Sequence, residues 1–350
     1  MGEVMLEAFR ARILERKPLR LRGGGSKDFY GGLVSGDLLD TAGHAGIVSY
    51  EPTELVITAR CGTPLAELES ALATRQQCLA CEPPHFGAAT VGGAVAAGLA
   101  GPRRAAVGGM RDFVLGVKLM DGEGRVHRFG GEVMKNVAGF DVSRLIAGSL
   151  GTLGLVLEVS LKVLPVPPGD ASLRFEMPQD KALEALNRWA GQPLPLVANC
   201  WQDGVLTLRL SGAQAAVSAA CARLGGEAID GVEAVAFWQG LREQDAEYFA
   251  GDVPLWRLSV PSVAPPLDLP GTTLIEWGGA QRWLRGDVDP LRIRELATRV
   301  GGHATLFRGG DKAAGVFAPL QPALMEVHRR LKQSFDPYRV FNPGRMYPEL

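Results

Sequence analysis

Hydrophobic and polar positions alternate most cleanly near the end of the first half of the chain. Leu155, Leu157, Val159, Leu161 and Val163 share one parity, and Glu158, Ser160 and Lys162 share the other. A period of two predicts a strand with one buried face, stopped at Pro165. Shorter runs predict strands over 46–51 and 54–61, and a hairpin of 113–120 with 125–129 across Asp121-Gly122-Glu123-Gly124. Helical period recurs at Leu65, Leu68 and Leu72, with Thr63 as cap and Pro64 in the first turn. It recurs at Val142, Leu145 and Ile146 after the capping Asp141, and at Leu320, Leu324, Val327, Leu331 and Phe335. The last set predicts one apolar face of a terminal helix, ended by Asp336-Pro337.

Pro165, Pro167, Pro168 and Gly169 punctuate a linker, the strongest boundary signal in the chain. Beyond it, strands are predicted over 172–177, 196–201, 205–210, 255–260, 272–277 and 281–285, with Thr207 and Arg209 facing away from the apolar side. Helices are predicted over 213–224 and 232–248. Such a mixture suggests an antiparallel sheet backed by helices. Trp201, Trp256, Trp277 and Trp283 lie on these strands, where core packing is the expected role.

Composition narrows the class. The 350 residues are 46% hydrophobic and 21% charged, with a net charge of -1, which describes one large or two unequal globular domains. That balance argues against a nucleic-acid surface or a polybasic membrane anchor. The first residues interleave charged and apolar positions at helical spacing, and no run approaches a membrane span, so a cytoplasmic protein is expected. The five cysteines are scattered, which suits reduced thiols. Cys78 and Cys81 form a CxxC, open to a redox or iron–sulfur reading. A cluster needs four thiolates and the other three stand singly, so buried small hydrophobes are the expected role. The five histidines are isolated, with no metal-binding spacing among them.

Glycine supplies the candidate chemistry. Leu19-Arg20-Leu21-Arg22 alternates into Gly23-Gly24-Gly25-Ser26-Lys27, whose successive amides could form an anion-binding nest or simply turn a hairpin. Glu82 to Arg104 holds five glycines among alanines and almost no charge before Arg103. It reads as a wall pressed against a ligand, or as a core helix using Val95 to Leu99. A third turn, Gly148-Ser149-Leu150-Gly151-Thr152-Leu153-Gly154, leads into the alternating strand.

In order and spacing, these segments resemble the vanillyl-alcohol-oxidase, PCMH-type family of FAD-binding domains found in flavin-dependent 2-hydroxy-acid dehydrogenases. The matching pieces are Arg22 to Ser26, Ala89 to Gly93, Lys135 to Asp141 leading into Gly148 to Gly154, and Phe335-Asp-Pro337 followed by Phe341-Asn-Pro-Gly-Arg345. EPPHFG, TVGG, GPRR and FNPGRMY are similar to the FAD-binding subunits of bacterial glycolate oxidases within that family.

The resemblance implies an α+β fold. A two-subdomain FAD-binding domain would span 1–165, an α+β cap 166–312, and a segment over 313–350 whose helix returns to the first domain. It implies FAD contacts from Arg22, Gly23, Gly24, Gly25, Ser26 and Lys27, then from His85, Gly87, Ala89, Thr90, Gly92 and Gly93. Gly151, Thr152, Gly154 and Val156 would follow, with Asn342 near the flavin end. The histidine that tethers flavin in many relatives has no counterpart in the first loop, GGGSKD, so dissociable FAD is expected. Catalytic relatives carry a His-rich, acidic motif in the cap, whereas Gly301 to Arg308 has one histidine and no carboxylate, and Leu150 replaces the acidic residue of the third turn. The resemblance therefore implies a subunit that supports glycolate oxidation beside a larger catalytic flavin subunit and an iron–sulfur subunit. A self-sufficient D-2-hydroxy-acid dehydrogenase and a structural subunit without working flavin are the alternatives. Arg103, Arg104 and Arg345 are candidates for a carboxylate or a phosphate.

Overall fold

The computed structural model describes residues 2–131 and 141–350, and Lys135 to Phe140 of the third motif lie outside the described residues. The chain divides into two compact units. The first comprises Met1–Leu99, Gly109–Pro165 and Pro319–Leu350, the second Ala100–Gly108 and Val166–Ala318.

The first unit is built on a five-stranded antiparallel sheet, ordered Ile47–Glu51, Val56–Arg60, Leu155–Lys162, Val114–Met120 and Val126–Gly130. The alternating strand thus lies in the centre of the sheet and is covered on both faces. Ser160 and Val156, on the parity expected to face outward, are buried, and the Ser160 and Thr58 hydroxyls share a buried hydrogen bond of 2.8 Å. That bond is what makes a polar residue tolerable there. A parallel pair, Leu19–Arg22 with Asp37–Asp40, stands beside Phe341, which bridges to Leu19. Helix Gly2–Leu14 and this pair close a core of Phe9, Ile13, Leu19, Leu39, Met120, Leu155, Leu157, Val340 and Phe341.

Two local expectations change. Leu65, Leu68 and Leu72 are buried on helix Leu65–Ala73, but the N-cap is Pro64, with no side-chain capping bond. The Thr63 hydroxyl is used elsewhere, accepting from Gly46 N–H at 2.9 Å and donating to Gly46 C=O at 3.1 Å. The terminal helix, Pro322–Phe335, does not bury its apolar stripe. Leu324 and Val327 are 46% and 50% exposed, and the residue it buries is Lys332.

The second unit is an eight-stranded antiparallel sheet. Its order is Glu227–Ile229, Gly169–Glu176, Val205–Gly212, Leu196–Gln202, Thr272–Glu276, Gln281–Arg285, Leu255–Ser259, His303–Arg308. Helices Gln179–Ala190, Gln214–Leu224 and Pro290–Arg299 cover one face, packing on Leu206, Leu208, Leu210, Leu258 and Leu284. The first and third of these helices, and the strand His303–Arg308, are additions to the elements expected from the sequence; the third starts at the capping Asp289 with Pro290 in its first turn. Trp256 and Trp283 are buried in strands, the Trp283 indole N–H donating to Glu276 at 2.7 Å, whereas Trp277 lies in a short 3-10 turn. Together the two units make a mixed α+β fold.

Candidate functional site

The strand Leu19–Arg22 delivers the chain into Gly23 with its backbone extended, and the next residues turn sharply at Gly25, whose φ of 73° favours glycine. Among the described residues, nothing accepts from the amides of Gly23, Gly24, Gly25 or Ser26. Four adjacent free donors form a ready anion nest. Arg22 is held by Asp28 at 2.9 Å, and the Lys27 ammonium donates to the Ser26 hydroxyl at 3.2 Å and to His85 C=O at 3.1 Å.

The second glycine segment interlocks with the first. A side chain at Gly24 would place its Cβ 1.4 Å from the Ala88 carbonyl, and one at Gly23 would meet the Thr90 hydroxyl at 2.3 Å, so neither position admits a Cβ. Thr90 caps helix Val91–Ala97, accepting from Gly93 N–H. Ligand wall and core helix therefore turn out to be the same element: Val91, Ala94 and Val95 are buried, while Gly92, Gly93, Ala96 and Ala97 line a cleft. Gly92 is small because it rests on Cys61, where a Cβ would come within 2.6 Å, whereas Gly93 has only its own capping hydroxyl nearby at 3.2 Å.

That helix also sets the third wall. Gly148 N–H donates to Val95 C=O at 3.0 Å and Leu150 N–H to Ala96 C=O at 2.8 Å. These bonds bring Leu150, Gly151, Gly154, Leu155 and Val156 to the cleft. Asn342 supplies the fourth edge. Its backbone N–H donates to Leu19 C=O at 2.9 Å, its Oδ1 accepts from Leu21 N–H at 2.8 Å, and its Nδ2 donates to Leu150 C=O at 2.7 Å. Asn342 therefore holds two walls together while it borders the cleft.

The cleft is open to solvent, and about 750 Å³ of space lies between its walls and its mouth. Its charged lining residues are Arg22, Lys27, Arg345 and Asp28, three cations against one carboxylate. Burial lowers the Arg345 pKa, yet its guanidinium stays a cation and donates to Lys27 C=O at 2.8 Å. Cys61 also lines the cleft, its thiol pushed up to about 12 by burial, so it is neutral there. Free amides and excess positive charge at one end fit a pyrophosphate. Leu21, Ala96, Leu150, Leu155 and Val156 give the apolar surface that a flat ring system needs.

Of the residues expected at the cofactor, Arg22, Gly23, Gly24, Gly25, Ser26, Lys27, Thr90, Gly92, Gly93, Gly151, Gly154, Val156 and Asn342 line this one cleft. Four do not. His85 pairs with Glu69 at 2.9 Å, Gly87 and Ala89 lie in the turn that supports Thr90, and Thr152 faces a separate cavity behind the third turn. Leu21, Thr41 and Cys61 line the cleft without having been expected there, and Ala96 and Ala97 do so within the stretch read as a ligand wall. The first three belong to strand ends that carry no local signature. Arg103 and Arg104 belong to the second unit, where Arg104 lies over the Trp277 ring at 4.6 Å.

A split cleft of glycine turns beside an antiparallel sheet defines a class, the PCMH-type FAD-binding flavoproteins. The FAD binding domain family matches residues 7–130. The solved structure of alkyldihydroxyacetonephosphate synthase has the same fold, with a TM-score of 0.67 at 14% identity, covering 98% of this chain and 76% of that one. At finer grain, the chain is 51% identical over 350 residues to glycolate oxidase subunit GlcE of Escherichia coli (strain K12), spanning 100% of this chain and 98% of that protein. The chain belongs to the GlcE family of glycolate oxidase FAD-binding subunits. It is also 25% identical to a D-lactate dehydrogenase of Archaeoglobus fulgidus, over 95% of this chain and 86% of that protein. FAD is its cofactor, it is an FAD-dependent oxidoreductase component, and its family implies a multi-subunit complex. Among the described residues, no helix is long and apolar enough to cross a membrane, and no group of three or more His, Cys, Asp or Glu stands ready for a metal.

Proposed function

We propose that this chain carries dissociable FAD in a complex that oxidises glycolate to glyoxylate, working beside a larger catalytic flavin subunit and an iron–sulfur subunit. The observation that carries the reading is the full-length similarity to glycolate oxidase subunit GlcE together with a cleft whose walls suit FAD. Oxidising the substrate removes a hydride from its carbon and a proton from its hydroxyl, and bound FAD supplies the two-electron acceptor. The chain's own part is to bind and orient. The Gly23 to Ser26 amides, Lys27 and Arg345 hold the anionic end, and the turn from Leu150 to Gly154 shapes the other.

The test is spectroscopic. Anaerobic glycolate is expected to leave the flavin absorbance of the isolated, FAD-loaded chain unchanged and to bleach it in the reconstituted complex. Acid precipitation should release all of the FAD into solution. A tagged chain that captures neither partner would overturn the reading. Bleaching of the isolated chain by glycolate or D-lactate would instead establish a self-sufficient dehydrogenase, the second reading, which the near-full-length similarity to a D-lactate dehydrogenase favours.

A further inference from the structure

The one residue that the terminal helix buries is charged. The Lys332 side chain is 4% exposed and that of its partner Asp336 0%. All three ammonium protons are used, on Asp336 Oδ2 at 2.8 Å, Phe341 C=O at 2.9 Å and Thr152 C=O at 2.7 Å. Asp336 in turn accepts from Val340 N–H at 2.9 Å and Phe341 N–H at 2.8 Å. The sequence leaves little slack around this pair, since a Cβ at Gly122 would come 2.4 Å from Asp336 Oδ1.

Two of the carbonyls captured by this segment flank Gly151. Asn342 takes Leu150 C=O and Lys332 takes Thr152 C=O, so the third turn is gripped on both sides of Gly151, one of the residues that it presents to the cleft. Thr152 and Lys332 themselves line a separate, partly open cavity behind the turn. A buried ion pair is weak evidence for net stability, because desolvation offsets the attraction. Satisfying a carbonyl of a ligand-binding turn from behind has a different use, which is to fix the geometry of that turn.

We propose that Lys332 is a positioning residue for the flavin: it locks the Leu150–Gly154 turn from behind, so that FAD binding and docking of the segment from Lys332 to Asn342 are one coupled equilibrium. The inference rests on FAD occupying the cleft and is independent of the substrate and the partner subunits. Coupling is reciprocal. A weaker lock lowers FAD affinity, and bound FAD tightens the segment.

The test compares full-length apo-proteins titrated with FAD. Lys332→Met is expected to raise the FAD dissociation constant at least about ten-fold. Lys332→Gln, which keeps a donor for the two carbonyls, should recover part of that loss. Leu72→Ala supplies the control, because Leu72 is fully buried in the same unit and does not line the cleft. It should lower the melting temperature while leaving FAD affinity within about two-fold. A measurement on the unmodified chain does not depend on any variant folding: saturating FAD should slow amide hydrogen exchange over 332–341, none of which lines the cleft. Unchanged affinity in both Lys332 variants, or exchange that slows only in cleft-lining segments, overturns the proposal and leaves the cofactor assignment standing. Failure of the unmodified chain to bind FAD overturns both.

Discussion

Arg345, a candidate anion ligand in the sequence, takes its place at the cleft through a contact with Lys27, 318 residues earlier in the chain. It arrives from the C-terminal segment, donates to Lys27 C=O, and lines the same cleft as the first loop, and Asp28, the carboxylate lining the cleft, is already engaged by Arg22. A guanidinium placed this way matches a phosphate in geometry as well as charge. Arg345→Ala is expected to weaken FAD binding by about ten-fold or more, corresponding to roughly 1.4 kcal/mol, with Arg345→Lys intermediate. Titration of each apo-variant by flavin fluorescence reads this directly, and equal affinity in all three proteins would show that Arg345 does not touch the cofactor.

At the level of elements, the cleft depends on glycines with two different duties. Gly24 is small for the protein, because the first and second loops interlock at Ala88; Gly93 is small for the ligand, because beyond the Thr90 hydroxyl nothing stands close to the space above it. Gly93→Leu is expected to leave the apo-protein's melting temperature within about 2 °C of the unmodified value while abolishing FAD retention. Gly24→Ala should lower both, since the backbone must move to admit the new Cβ. Calorimetry of the two apo-variants separates the duties, and a large loss of stability in Gly93→Leu would contradict the assignment.

The same elements show what the sequence reveals and what it conceals. Glycine loops and the capping Thr90 are legible because a turn, a close approach or a cap needs particular residues at fixed offsets. The alternating strand was legible as a strand but not as a central one, because Thr58 supplies Ser160 with a partner from another element. The terminal helix is the sharper case. Its apolar period is real, yet the buried position belongs to Lys332, whose three acceptors come from Thr152, Asp336 and Phe341. No reading of helical period finds a buried lysine whose partner at Thr152 is 180 residues away. Cys61 and Thr41 entered the cleft unannounced for the same reason: tertiary pairing put them there.

Across the whole molecule, burial of weak acids sets an alkaline limit. Cys61 is pushed from its ordinary value of 9.0 up to about 12, Cys200 is raised well above 9.0, and Tyr248 is raised too, each chiefly by desolvation. A buried acid with a raised pKa keeps its proton in the folded state when the unfolded chain would release it. Stability is therefore full below about pH 9 and falls as pH rises from 9 toward 12. Cys61 alone would remove about 1.4 kcal/mol for each pH unit above 9. Melting temperatures are expected to be flat from pH 7 to 8.5 and to drop by several degrees at pH 10.5, and a profile level to pH 10.5 would contradict the burial of these groups.

Asn342 closes the flavin cleft by gripping Leu150, 192 residues earlier in the chain, and Leu21, 321 residues earlier. During synthesis, at roughly 5–20 residues per second, the third turn must wait about 10–40 s for its partner. In that interval the ribosome makes the whole of Val166–Ala318, so the second unit has all its residues while the first still lacks Val340 and Phe341 from its core. The cleft therefore lacks its fourth edge, and the core around Leu155 and Leu157 lacks Val340 and Phe341, until the segment that carries Asn342 has been made.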